Sequence, residues 1–275
     1  MRCGGAIARV RRVHTAELVD RGASLVDRLT TTQSPPPWQL VLVTAVLALV
    51  LVAAGPLWRI TRNAVTIAHE GGHALVALVT GRRLDSITLH SDTSGLTVSR
   101  GKPYGPGMIL TALAGYPAPP LLGLGFAALL AADRITLMLW TSIALLAAVL
   151  IKVRNLYGLC TVLALGALVF AVSWFGTDLV QAAFAYLAAW FLLFAGLRPV
   201  VEMQRGRRHR WGNPGGVDSD ADQLAALTHL PALLWVLIFA AIALAALLYG
   251  GGLLLSEATG LCLPAISSGN CPAPG

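Results

Sequence analysis

Five consecutive residues, His69-Glu70-Gly71-Gly72-His73, combine two imidazoles four positions apart with a carboxylate between them. On a helix, positions i and i+4 share a face, so both imidazoles can converge on one metal ion. Zinc is the metal that this HExxH pattern holds, and the chemistry is hydrolysis by a metal-activated water. Glu70 is the general base: it takes a proton from that water and later returns it to the leaving amine. A catalytic zinc takes three protein ligands and keeps an open position. The third ligand here is sought among Asp220, Asp222, Asn155 and His229, with Asp220 foremost. Ser219 and Asp222 also read as the two halves of a capping box at a helix start, a purely structural use of that acid.

The elements that carry these residues are apolar. Of 275 residues, 56% are hydrophobic and 12% charged, against about 25% charged in a soluble domain. Residues 39–58, 135–151, 156–177, 179–197 and 229–255 contain no Asp, Glu, Lys or Arg. A bilayer core of about 30 Å needs roughly 20 apolar residues in a helix. The expected fold is therefore an all-α polytopic membrane protein with about seven membrane helices, at 38–59, 61–80, 107–132, 135–151, 157–176, 178–197 and 228–254. The HExxH motif falls in the second and least apolar of these. An ionised group at membrane depth costs at least about 2.5 kcal/mol and is functional by default.

Between the second and third segments the helical pattern stops. Ile87-Thr88-Leu89 and Leu96-Thr97-Val98 are β-prone, and Ser91-Asp92-Thr93-Ser94-Gly95 is turn chemistry, with Gly95 free to take positive φ. The expectation is a small β-hairpin over 84–100, with His90 exposed, lying in the interface, against protein or along a water-filled cleft because an open edge cannot face lipid. Pro117, Pro119 and Pro120 interrupt the third segment, which suits a span lining such a cleft. Gly71 and Gly72 weaken their helix unless a neighbour approaches closely.

Residues 1–37 read as a basic tail, residues 38–255 as one membrane-embedded domain containing a basic loop at 198–218, and residues 256–275 as a further tail. A short interfacial helix within 16–29 and a disordered tail stand as equal readings of the N-terminal part. The net charge of +7 is assigned to the positive-inside rule rather than to nucleic acid. The resulting path puts the N-terminus and the 198–210 loop in the cytoplasm and Asp133-Arg134 outside. Arg59 and Arg62 then fall on the wrong side. Cys262 and Cys271 lie in the tail assigned to the outside, where a disulfide is possible.

Thr66-Ile67-Ala68-His69-Glu70-Gly71-Gly72-His73-Ala74, followed by Thr80-Gly81-Arg82, resembles the active helix of the site-2 proteases, intramembrane zinc metalloproteases. The hairpin after it and Ala114-Gly115-Tyr116-Pro117-Ala118-Pro119-Pro120 are similar to features of that family, over about residues 61–235, and compact bacterial members without a PDZ domain are the nearest in plan. The resemblance implies a bacterial cell membrane, a membrane-protein substrate, zinc as cofactor, and a cleft lined by Asn155, Gly115 and Pro117. The chain departs from the family in one respect. The later Asn-x-x-Pro…Asp-Gly motif, whose Asp is the usual third ligand, is replaced by Arg154-Asn155-Leu156-Tyr157-Gly158, with no acid until Asp178. That departure keeps a second reading open, a catalytically inactive scaffold that binds membrane partners. A metal-handling transporter is a third, which does not account for the glutamate between the histidines.

Overall fold

The computed structural model describes Asp27, Leu29 and residues 32–210 and 219–259. The helix considered within 16–29, Cys3, Cys262 and Cys271 lie wholly or mostly outside the described residues. Ten helices and one hairpin are described: α1 Trp38–Ala53, α2 Gly55–Val79, β1 Arg83–Leu89, β2 Gly95–Arg100, α3 Pro106–Leu113, α4 Ala118–Ala131, α5 Ile135–Lys152, α6 Leu156–Phe175, α7 Asp178–Ala195, α8 Leu197–Arg210, α9 Asp220–Thr228 and α10 Ala232–Thr259. The expected fold class is observed, a helical membrane protein with a hairpin after the HExxH helix. The segment count is lower than seven. Among the described residues, four helices are long and apolar enough to cross a bilayer, or six if each bent pair counts as one span.

The bends have local causes. Gly55-Pro56 breaks α1 from α2 and turns the chain through 100°. Pro56 fits the first turn of α2, where no amide partner is needed. Pro117 caps α4 and Pro119 sits in its first turn, turning α4 by 69° from α3.

The ends of the elements sort into two sets. At one end of the bundle the Gln33 amide donates to the Asp133 carbonyl at 2.9 Å, and the Thr136 amide donates to Gln33 Oε1 at 2.9 Å. At the other end the Arg198 guanidinium donates to the last carbonyls of α1, Val52 and Ala53. The hairpin joins this second end through a bridge between Ile87 and Val153 and a hydrogen bond from Lys152 Nζ to the Leu84 carbonyl at 3.1 Å. Helix α2 thus leaves from and returns to the same end, lying across the bundle rather than through it. This corrects the seven-span path, which set Gln33 and Asp133 on opposite faces. Length and apolar content made α2 look like a separate span, whereas with its 100° bend α1 and α2 together count as at most one.

The core is built from α1, α4, α5 and α7, around Val41, Phe126, Leu139 and Tyr186. Ile87, Leu89 and Val153 pack the hairpin against Ile67 and Ala74 of α2. Ala112, Met203, Leu224 and Phe239 pack α3, α8, α9 and α10 together. Large apolar side chains such as Ile60, Leu156 and Phe175 stay exposed, as a lipid-facing surface allows.

Candidate metal centre

Helix α2 buries the face that carries Val65, Ile67, Glu70, Gly72, His73, Ala74 and Ala77. The HExxH residues therefore face protein. His73 is 8% exposed and Glu70 4%. The Nδ1–H of His73 donates to the Thr111 carbonyl of α3 at 2.7 Å. That bond fixes the tautomer and leaves Nε2 with its lone pair turned to the cleft, the usual support of a metal-binding histidine. His69 is held by the Tyr116 ring, edge-to-face at 4.8 Å, and Tyr116 stacks on Phe239 of α10 at 5.0 Å.

Asp220 enters from α9 and completes a triangle. Its Oδ2 lies 3.3 Å from His69 Nε2 and 3.3 Å from His73 Nε2, and the two imidazole nitrogens are 3.1 Å apart. Two atoms that ligate one zinc at 2.0–2.2 Å with a tetrahedral angle lie about 3.3–3.6 Å apart. The observed edges come close to that spacing. Asp220 Oδ2 is also buried without a hydrogen bond. A buried carboxylate oxygen left unpaired is costly, and a cation between the three groups would satisfy it. His69, His73 and Asp220 form the group of potential metal ligands among the described residues.

The arrival of Asp220 is set by its own helix start. Ser219 Oγ accepts from the Asp222 amide, and the Ser219 amide donates to Asp222 Oδ2, a closed capping box. The Arg207 guanidinium of α8 donates to Asp222 Oδ1 from Nε at 2.8 Å and from Nη2 at 2.7 Å. Burial pushes the Asp222 carboxyl up, but the Ser219 and Arg207 bonds outweigh it and hold it below its ordinary value. The capping expectation for Ser219 and Asp222 is thereby observed, and Asp222 is occupied away from the cluster.

The other candidates stand elsewhere. Asn155 is spent on the hairpin: its Oδ1 accepts from the Leu89 amide at 3.2 Å and its Nδ2 donates to the Leu89 carbonyl at 2.6 Å. His229 ends α9 in a left-handed conformation, φ 61. Gly115 does line the cluster. A Cβ there would lie 2.4 Å from His73 Nε2 and 2.6 Å from His69 Nε2. Pro117 is buried as the N-cap of α4. Gly72 meets the α3–α4 break, where a Cβ would be 2.4 Å from that of Ala118. This is the close approach expected to offset a glycine pair.

The hairpin is placed as expected and built somewhat differently. Its positive φ falls on Thr93, φ 67, while Gly95 opens β2. Asp92 takes over the turn by accepting from the Ser94 amide at 3.0 Å and from its hydroxyl at 2.6 Å. His90 is exposed. Thr97 Oγ1 donates to Glu70 Oε2 at 2.6 Å. Neither Thr97 nor Thr111 was marked by the sequence, since an isolated threonine on a strand or helix carries no spacing signal.

The family model described as Peptidase M50B-like matches residues 42–250. No curated protein and no solved structure gives a significant match.

Proposed function

The chain belongs to the Peptidase M50B-like family, the site-2 protease family, and on that premise we propose that it is an intramembrane zinc metallopeptidase acting on membrane-protein substrates. The observation that carries the proposal is the convergence of His69, His73 and Asp220, with Asp220 Oδ2 buried and without a hydrogen bond. Asp220 takes the place of the Asp that the resemblance left unassigned. That placement supports the peptidase reading over an inactive scaffold. Zinc held there would supply a Lewis acid and a water whose pKa falls to about 7.

The remaining work is done by side chains and backbone. Glu70 accepts the water's proton and delivers it to the leaving amine. Gly115 leaves the two imidazoles their room. A membrane helix hides its amides in internal hydrogen bonds, so a substrate must unwind and take new partners. The outer edge of β1 is already used by Val153 and Asn155. The β2 edge beside Glu70 is the natural partner for an unwound strand. Arg82 holds Ser99 at its far end, leaving Gly95–Val98 for that role.

Purified protein should carry about one zinc, and His69→Ala or His73→Ala should lose most of it. Glu70→Gln keeps size and hydrogen bonding but accepts no proton. It should retain zinc while cleavage of a co-expressed membrane substrate falls by about 10² to 10⁴. Wild-type cleavage by Glu70→Gln would remove hydrolysis at this site and put the scaffold reading in front.

A further inference from the structure

We propose that Thr97 of β2 is a positioning residue that orients the Glu70 carboxylate for proton transfer, an inference that rests on the peptidase reading above. The contact is double. Thr97 Oγ1 lies 2.6 Å from Glu70 Oε2 and 3.2 Å from the Glu70 carbonyl oxygen. Gly95, two residues earlier on the same strand, sits so close that a Cβ would lie 2.5 Å from Glu70 Oε1 and 2.7 Å from its carboxyl carbon. One strand therefore touches both oxygens of a side chain that is 4% exposed, with a hydroxyl on one and bare backbone on the other.

The arrangement suits a base. The last torsion of a glutamate is broad and nearly two-fold, so a carboxylate without a fixed donor rotates. A hydroxyl bonded to a carboxylate oxygen is short and charge-assisted, about 2.5–2.7 Å. That bond ties Oε2, and the missing Cβ at Gly95 leaves room at Oε1. Among the described residues, Thr97 supplies the side-chain hydrogen bond that Glu70 receives, and no cation pairs with Glu70. Thr97 touches none of the three metal-ligand candidates, so its effect is expected on the base and not on the metal. It sits on the strand whose edge is proposed to take the substrate, so the element that would align the peptide also aligns the base that activates the attacking water.

Thr97→Val keeps the shape and β preference of the side chain and removes the hydroxyl. Thr97→Ser keeps the hydroxyl and removes the methyl. For the full-length protein in bilayers, Thr97→Val should retain one zinc and an unchanged KM while kcat falls about 10- to 100-fold, the scale of a misplaced reacting group. Thr97→Ser should restore most of kcat. A second readout needs no turnover. The Glu70 carboxylate stretch, identified in infrared difference spectra against Glu70→Gln, should shift in Thr97→Val and return in Thr97→Ser. Wild-type kcat in Thr97→Val, or equal impairment of Thr97→Val and Thr97→Ser, overturns the proposal. So does an unshifted band, whatever the activity. Wild-type protein that cleaves no better than Glu70→Gln overturns the peptidase reading instead. In that case a shifted band still reports the contact, and the role assigned to it falls.

Discussion

At the scale of single residues, Gly115 sets a constraint on the metal-ligand candidates themselves. Its missing Cβ would overlap both imidazoles, and overpacking of this kind costs about 1–3 kcal/mol when neighbours must shift. Here the neighbours that must shift are the two candidate histidine ligands. Gly115→Ala is therefore expected to lower the zinc content of the purified protein more than its thermal stability, and full zinc in that variant would contradict the geometry. Asp220 and Asp222 provide a second contrast. Asp220→Asn should lose zinc, because it removes the charged oxygen that faces His69 and His73. Asp222→Asn removes no ligand and should lose less. Equal loss in the two would undo the assignment of Asp220. The sequence discloses this site unevenly for a physical reason. His69 and His73 are neighbours on one helix turn, so their spacing carries the geometry. Asp220 arrives from another helix, and only the packing of α9 against α3 and α10 selects it over Asp222, Asn155 and His229. Asn155 was marked for the cleft, but an amide that both donates and accepts suits a strand backbone, and Leu89 uses both functions.

At the scale of elements, the short helix α9 has to present Asp220 at its first position. Nine residues make an unstable helix in isolation, so its start must be fixed from outside. The capping box fixes the first turn, and Arg207 ties Asp222 to α8. Ser219→Ala should cost about 1 kcal/mol of stability through the lost cap. Arg207→Met frees α9 from α8 while leaving all three ligand candidates intact, and it should weaken zinc affinity measured by competition with a chelator. Unchanged affinity would mean that packing against α3 and α10 holds α9 without Arg207. The capping box was legible because its residues are local. The hairpin was legible from two β-prone runs around a turn, although the turn places positive φ on Thr93 and uses Gly95 for the approach to Glu70. The course of α2 was not legible. Apolar content and length describe a helix that crosses a membrane and one that lies across a bundle in the same way, and only the bend at Gly55-Pro56 separates them.

At the scale of the whole molecule, that bend decides which charges share a face. With α2 returning to the end it leaves, Arg59, Arg62, the hairpin basic residues, Lys152, Arg154 and the basic residues of α8 gather at one end of the bundle. Of the 20 Lys and Arg, six precede Gln33 and one is Arg134, which leaves thirteen at this end. Lys and Arg mark the cytoplasmic side, so this end and the metal centre near it are expected to face the cytoplasm. Arg59 and Arg62, misplaced in the seven-span path, now agree with the rule. Gln33 is bonded at the opposite end, beside Asp133 and Thr136, so with six spans the start of α1 is expected outside despite the six arginines that precede Gln33. Positive charge on a tail ahead of the first span is then outweighed by the larger number at the other end. Reporter fusions to the N-terminus, after Gly206 and after Gly269 test this directly. The N-terminal and Gly269 reporters should give the extracytoplasmic signal and the Gly206 reporter the cytoplasmic one. An N-terminal reporter that matches Gly206 would mean that α2 crosses the membrane after all, and the odd span count would return.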